Sequence, residues 1–299
     1  MPIVVENLNF IYNPNSPFEK HALKDVSITI NDGDFLSIVG ATGSGKSTFV
    51  QHLNGLIRVQ SGAISIDGAD ITPLGKSKRK NRKKERINFA KLRGEVGMVF
   101  QYPEYQLFAD TVYNDVAFGP KNLKLDKDEI DKRVKEALLL VGLDFDYVKD
   151  KSPFELSGGE KRRAAIAGVI AMRPKVLVLD EPTAGLDPKG KTEILQLVLG
   201  LKKICSPTVI MISHDMDAVA EYGSRVAVFD DGRIVYDLPP EQLFEKENEL
   251  VEMGLELPKL AKLRFILKKH GVDIPKDCLS VEKMTEILKA VKSGGGSDV

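Results

Sequence analysis

The sequence predicts an α/β protein: a parallel sheet core with an antiparallel portion near the N-terminus. Two continuous apolar runs, VLVLD (176–180) and TVIMIS (208–213), have the composition of strands buried on both faces of a parallel sheet. Helical stretches at 128–141, 159–172 and 189–203 alternate with such runs. A late pair, VAVF (226–229) and RIVY (233–236), is separated by Asp230-Asp231-Gly232 and reads as a hairpin.

Earlier in the chain, VSITI (26–30) and FLSIVG (35–40) read as strands, with Asn31-Asp32-Gly33-Asp34 as the turn between them. At 299 residues, 42% apolar and 29% charged, the chain is globular and long enough to bury a large core. A formal net charge of +0 favours neither nucleic acid nor an acidic ligand. The two cysteines, Cys205 and Cys278, form no framework or metal-site spacing and fit a reducing compartment. The N-terminal MPIVVENLNF carries no signal-peptide pattern, and no apolar run is long enough to span a bilayer.

Two segments look like additions. Residues 75–93 hold ten Lys or Arg against one Glu and read as a solvated charged loop, with an anionic membrane surface second and nucleic acid third. Residues 240–299 form a charged helical tail, amphipathic around LAKLRFILKKHG, and close in a GGGS stretch expected to be disordered.

The chemistry begins at Gly40-Ala41-Thr42-Gly43-Ser44-Gly45-Lys46-Ser47, which matches G-x-x-x-x-G-K-[ST] after a strand and before a helix. Glycines let successive backbone N–H groups turn around phosphates, and the helix N-terminus adds a favourable dipole. Lys46 is placed to reach the β- and γ-phosphates, Ser47 to ligate Mg²⁺, and Thr48 is counted with the same nucleotide site. Asp180, at the end of the buried run 176–180, is the candidate metal carboxylate. Glu181 follows it and is the candidate general base. Together these predict a P-loop nucleoside triphosphatase binding ATP with Mg²⁺, without saying which kind.

Leu156-Ser157-Gly158-Gly159-Glu160-Lys161-Arg162-Arg163 narrows the choice. Here the sequence resembles the ATP-binding cassette family, whose signature is L-S-G-G-Q; Glu160 stands where Gln is usual. Ser157, Gly158 and Gly159 open a helix and present a hydroxyl and free N–H groups, a second anion site. The resemblance implies that this face meets the γ-phosphate held by another subunit, so Ser157 through Glu160 join the nucleotide set. It also implies that Tyr12 stacks on adenine, Gln101 reaches Mg²⁺ and the attacking water, Asp187 lies in a loop crossing a dimer interface, and His214 senses the γ-phosphate beside Glu181. With one phosphate loop and one signature, the chain is expected to work as half of a dimer. The expected boundaries are a cassette over 1–240, with a helical subdomain at about 102–165, and a dimerising helical extension over 241–299.

Residues 100–120, FQYPEYQLFADTVYNDVAFGP, have neither a helical nor a strand period. From Gln101 to Gly119 they resemble the ATPases of energy-coupling factor transporters, more like the second of the paired ATPases than the first. The resemblance implies a socket for a helix of a transmembrane scaffold, contacted through residues 102–119. Tyr102, Tyr105, Leu107 and Phe108 would bury that helix, and Glu104 and Asp110 would meet its arginines. Pro103 and Pro120 would restrain the loop. A substrate-binding membrane subunit would be an indirect partner, with the chain on the cytoplasmic side of the cell membrane. The other two candidates are a conventional importer ATPase and a nucleic-acid-associated cassette ATPase. The tail reads either as a packed helical cap or as a dimerisation surface. The resemblance favours dimer contacts, for which Leu257, Leu260, Leu263, Phe265 and Leu267 are the apolar residues available, though periodicity does not say what they face.

Overall fold

The computed structural model describes residues 1–72 and 88–294. Strands β1 (Ile3–Tyr12), β2 (Lys20–Ile30) and β3 (Phe35–Gly40) lead into α1 (Lys46–Leu53), followed by β4 (Ser61–Ile66) and β5 (Ala69–Asp70). Next come α2 (Phe89–Glu95), β6 (Val96–Val99) and a helical block of α3 (Val112–Asn122), α4 (Lys127–Leu140), α5 (Phe145–Val148) and α6 (Gly158–Ile170). Then β7 (Val176–Asp180), α7 (Pro188–Ile204), β8 (Thr208–Ile212), α8 (Met216–Tyr222), β9 (Arg225–Asp230) and β10 (Arg233–Leu238) complete the body. The tail holds α9 (Pro240–Leu243), α10 (Glu247–Glu252), α11 (Lys259–Lys269) and α12 (Val281–Gly294). Residues 75–87 of the basic segment lie outside the described residues; 88–93 begin α2, which Asn88 caps by accepting from the Lys91 N–H.

Among the described residues the strands form two sheets, β2-β1-β4-β5 and β10-β9-β3-β8-β7-β6. The first is antiparallel, and in the second only the β9–β10 hairpin is antiparallel. Although a tight turn joins β2 to β3, they part into different sheets. The later half of β2 alternates buried and exposed residues, as on a sheet with one wet face, whereas every residue of β3 is buried.

The central strands divide their side chains between two cores with the period of two that a strand imposes. Val176 and Val178 join the cluster beneath the antiparallel sheet, where Phe49 of α1 packs against Phe229. Leu177 and Leu179 join the opposite cluster, built from α3, α4, α6 and α7. The tail is seated by Leu243, Phe244 and Leu250, which pack with Val226 and Val228 of β9.

Two points that the sequence left open take definite form here. The stretch after Gln101 is not an irregular loop: Pro103–Gln106 is one 3-10 turn, and Val112–Asn122 is helix with Pro120 inside it. Thr111 caps that helix by accepting from the Asn114 N–H. In the tail, Leu257, Leu260, Phe265 and Leu267 pack into the protein's own clusters, and only Leu263 remains exposed. The tail must satisfy its own hydrophobic demand before it offers a surface to anything else.

Candidate nucleotide-binding and hydrolysis site

The loop Gly40–Ser47 leaves the all-buried strand β3 and turns directly into α1. Gly45 has φ +104°, and a Cβ there would lie 2.5 Å from the Ala22 carbonyl oxygen, so no other residue fits. Lys46 is buried, and its ammonium donates to the carbonyls of Gly40 at 2.7 Å and Ala41 at 2.8 Å. Burial pulls its pKa below the usual lysine value, against the pull of the Glu181 and Asp180 carboxylates. Ser44 Oγ is buried inside the same loop and has no hydrogen-bond partner among the described residues, as suits a cradle built for an anion.

Tyr12 flanks the first turn of α1. Its hydroxyl lies 3.2 Å from Thr48 Oγ1, and its ring meets Phe10 edge-on at 4.7 Å. Phe10 in turn meets His52 at 4.9 Å. The exposed face of Tyr12 is therefore held from behind by aromatic packing and from the side by a hydroxyl contact.

Strand β7 delivers Asp180 to its buried end, where the carboxyl is hydrogen-bonded to Ser47. Burial raises the Asp180 pKa, with the Ser47 contact acting in the opposite direction. Glu181 follows in the left-handed region at φ +50°, uncommon for a residue with a side chain. That turn swings its carboxylate away from Asp180's direction and toward two partners. His214 Nε2 lies 2.9 Å from Glu181 Oε1, and the Gln101 amide donates to Glu181 Oε2 at 3.1 Å. Residues from three parts of the chain, the ends of β6, β7 and β8, thus converge on one carboxylate.

The Mg²⁺ expectation is tested by the chemistry of these donors. One hydroxyl and one carboxylate already in contact fit a metal that takes few protein ligands and fills its remaining positions with phosphate oxygens and water. Among the described residues no cluster of three His, Cys, Asp or Glu forms an all-protein metal cage.

The signature and Asp187 close their hydrogen bonds within their own helix ends. Ser157 Oγ accepts from the Glu160 N–H at 3.3 Å, and Glu160 Oε2 accepts from the Ser157 N–H at 2.8 Å, a reciprocal capping box. Asp187 caps α7 by accepting from the Gly190 N–H. A Cβ on Gly158 or Gly159 would meet nothing within 4 Å among the described residues, so the two glycines form an open face beside Ser157.

The structure revises the socket. Glu104 does not face outward for an incoming arginine; it is paired with Arg162 of α6 at 2.8 Å. Leu107 is buried in the protein's own core, whereas Tyr102, Tyr105, Phe108 and Phe118 are exposed. Phe108 and Phe118 meet edge-on at 5.0 Å beside a groove of about 530 Å³, lined by Leu123, Val169 and Met172 among others. Asp110 stays at the surface, accepting from Asn114 Nδ2. Phe118 falls within the segment 102–119 expected to contact the scaffold, but its pairing with Phe108, ten residues earlier across the turn that starts α3, is a tertiary contact that no local pattern shows.

Comparison with known proteins agrees with this architecture. The family model described as ABC transporter matches residues 23–184. The energy-coupling factor transporter ATP-binding protein EcfA2 of Clostridium tetani is 48% identical over 290 residues, spanning 97% of both chains. The protein of the same name from Clostridium acetobutylicum is 48% identical over 294 residues, spanning 98% of this chain and 99% of that one. Among solved structures, cbiO1 of Clostridium perfringens, part of the ABC transporter complex cbiONQ, has a TM-score of 0.68 at 41% identity, covering 87% of this chain and 97% of that one. A dimeric ATP-binding cassette in a post-hydrolysis state with ADP and Pi has a TM-score of 0.67 at 28% identity, covering 80% and 98%. A phosphate loop, an open signature face and a carboxylate gathered by Gln101 and His214, in one chain alike over nearly its whole length to these relatives, place it in the ATP-binding cassette ATPase family, among the energy-coupling factor transporter ATP-binding proteins.

Proposed function

We propose that this chain is the ATP-hydrolysing subunit of an energy-coupling factor importer of vitamins or other micronutrients. It would pair with a second ATPase subunit, identical or homologous, and dock a transmembrane scaffold on the cytoplasmic face of the cell membrane. A substrate-binding membrane subunit would contact it only indirectly, and no nucleic acid is expected. No helix of the described residues is long and apolar enough to cross a membrane, so attachment would come from the scaffold.

The observation that carries this reading is that Gln101 contacts the candidate base Glu181, while residues just beyond it form an exposed aromatic face. A change at the nucleotide can thus reach the docking surface through a few residues of chain. In hydrolysis, Glu181 takes a proton from the attacking water while His214 and Gln101 hold its carboxylate in place. Lys46 and the loop N–H groups neutralise the phosphates, and Tyr12 carries the base. Mg²⁺, held by Ser47 and Asp180 with Gln101 nearby, would neutralise further phosphate charge. The open face of Ser157, Gly158, Gly159 and Glu160, with Asp187, would complete the site of the opposite subunit, so one chain alone holds only half of each site.

Phe108→Asp tests the docking surface. The exposed ring carries no core packing, so the variant should bind ATP normally but co-purify poorly with the scaffold from membranes. Full recovery of the complex with unimpaired uptake would refute the proposed docking face.

A further inference from the structure

The buried arginine of α6 belongs to none of the roles above. Arg162 is 3% exposed and spends its guanidinium on three separate acceptor groups. Nε donates to Glu104 Oε2 at 3.0 Å and Nη2 to Glu104 Oε1 at 2.8 Å, a bidentate fork. Nη1 donates to the carbonyls of Pro182 at 3.2 Å and Ala184 at 3.0 Å. Glu104 lies three residues after Gln101, and Pro182 directly follows Glu181. Arg162 itself lies one helical turn beyond the open face at Gly158.

We infer that Arg162 is a positioning residue that locks the docking segment 102–106, the signature helix α6 and the loop 182–187 into one unit, so that displacement of one displaces the others. A second contact joins the same two loops: the Tyr102 ring lies against Gly185, where an added Cβ would come within 3.3 Å of its edge. Tyr102 is in the left-handed region at φ +55°, uncommon for a residue with a side chain, and Gly185 has φ +74°. Burial pushes the Glu104 carboxyl up, yet its contacts with Arg162 and with its own backbone N–H together leave the group below its ordinary value.

The choice of arginine is what makes the unit rigid. A planar fork can serve the carboxylate with one edge and the carbonyls with another, whereas a lysine ammonium gathers its three donors at one point and cannot span both the bidentate carboxylate and the two carbonyls. A mere counter-charge for Glu104 would be met by either residue.

The inference rests on the proposed ATPase role only for its kinetic consequence, so the first measurement needs no nucleotide. Amide hydrogen exchange of the full chain is compared between wild type, Arg162→Lys and Glu104→Gln. In Arg162→Lys, exchange should rise about fivefold or more in both 102–106 and 182–187 and stay unchanged in β7. In Glu104→Gln, which leaves both carbonyl contacts in place, exchange in 182–187 should still rise, because the pin has lost its far anchor. Wild-type exchange in 182–187 in either variant would overturn the inference. In steady-state ATPase assays Arg162→Lys should lower kcat about tenfold at unchanged KM for ATP. A wild-type kcat would reduce Arg162 to a counter-charge and likewise overturn it.

Discussion

Replacement of Glu181 by glutamine separates the chemistry of the site from its architecture. The side chains are nearly isosteric, so the amide can keep one of the two contacts that now orient the carboxylate, His214 at 2.9 Å or Gln101 at 3.1 Å. The Gln101 amide and any proton on His214 are donors, so the new NH₂ group forfeits at most one hydrogen bond. That loss is worth about 1 kcal/mol, and the side chain is open enough for water to replace part of it. Removing a general base lowers turnover by about 10²–10⁴-fold. At about 1.4 kcal/mol per factor of ten, the barrier rises by roughly 3–5.5 kcal/mol. The kinetic effect therefore exceeds the structural one several-fold. Glu181→Gln should unfold within about 1 kcal/mol of wild type, bind ATP with unchanged affinity and accumulate as an ATP-bound dimer. Phosphate release under saturating ATP measures the first effect, and size-exclusion chromatography with ATP the last. Turnover within twofold of wild type would show that another group takes the proton and that the convergence of Gln101 and His214 on Glu181 has a different purpose.

Other outcomes follow from single residues. Gly45→Ala forces a Cβ into the left-handed region 2.5 Å from the Ala22 carbonyl. It should cost roughly 2 kcal/mol or more of stability and weaken ATP binding at least about tenfold, read by denaturant titration and nucleotide fluorescence. An affinity equal to wild type would show that the loop tolerates a displaced β2. His52 is fully buried, and burial holds its imidazole pKa below the usual value, with the Thr48 carbonyl opposing. The unfolded chain then binds a proton that the folded protein refuses, so this contribution to stability is complete above the unfolded pKa and lost as pH falls through the folded one. In urea unfolding from about pH 7 to about pH 5, the stability gap between wild type and His52→Gln should narrow. A gap independent of pH would mean that His52 titrates alike in both states.

Local pattern and motif were enough to determine the α/β class, the phosphate loop, the carboxylates at the end of β7 and the hairpin β9–β10, because each depends on contiguous residues. FLSIVG and VLVLD are buried on both faces, which is why apolar residues dominate both runs. The helix N-terminus at Ser157 was equally local, since a cap is made within four residues, whereas Asp187 was expected only as part of a loop and its capping of α7 came from the structure. Tyr12, Gln101 and His214 came from resemblance to a family, and the contacts that bring Gln101 and His214 to Glu181 are tertiary.

What the charged and aromatic residues between those motifs touch depends on segments brought together by folding. Glu104 looked like an outward carboxylate because the sequence does not show that α6 passes behind it with Arg162. Leu107 and Phe108 are adjacent and alike in composition, yet one is buried and the other exposed. The tail's leucines suited a packed cap as well as a partner surface by sequence, and α11 and α12 bury most of them against one another and against β9. The physical reason is common to all three. Burial and ion pairing depend on which distant segment arrives, and that is settled by the cooperative packing of two sheets and a helical block rather than by any window of sequence.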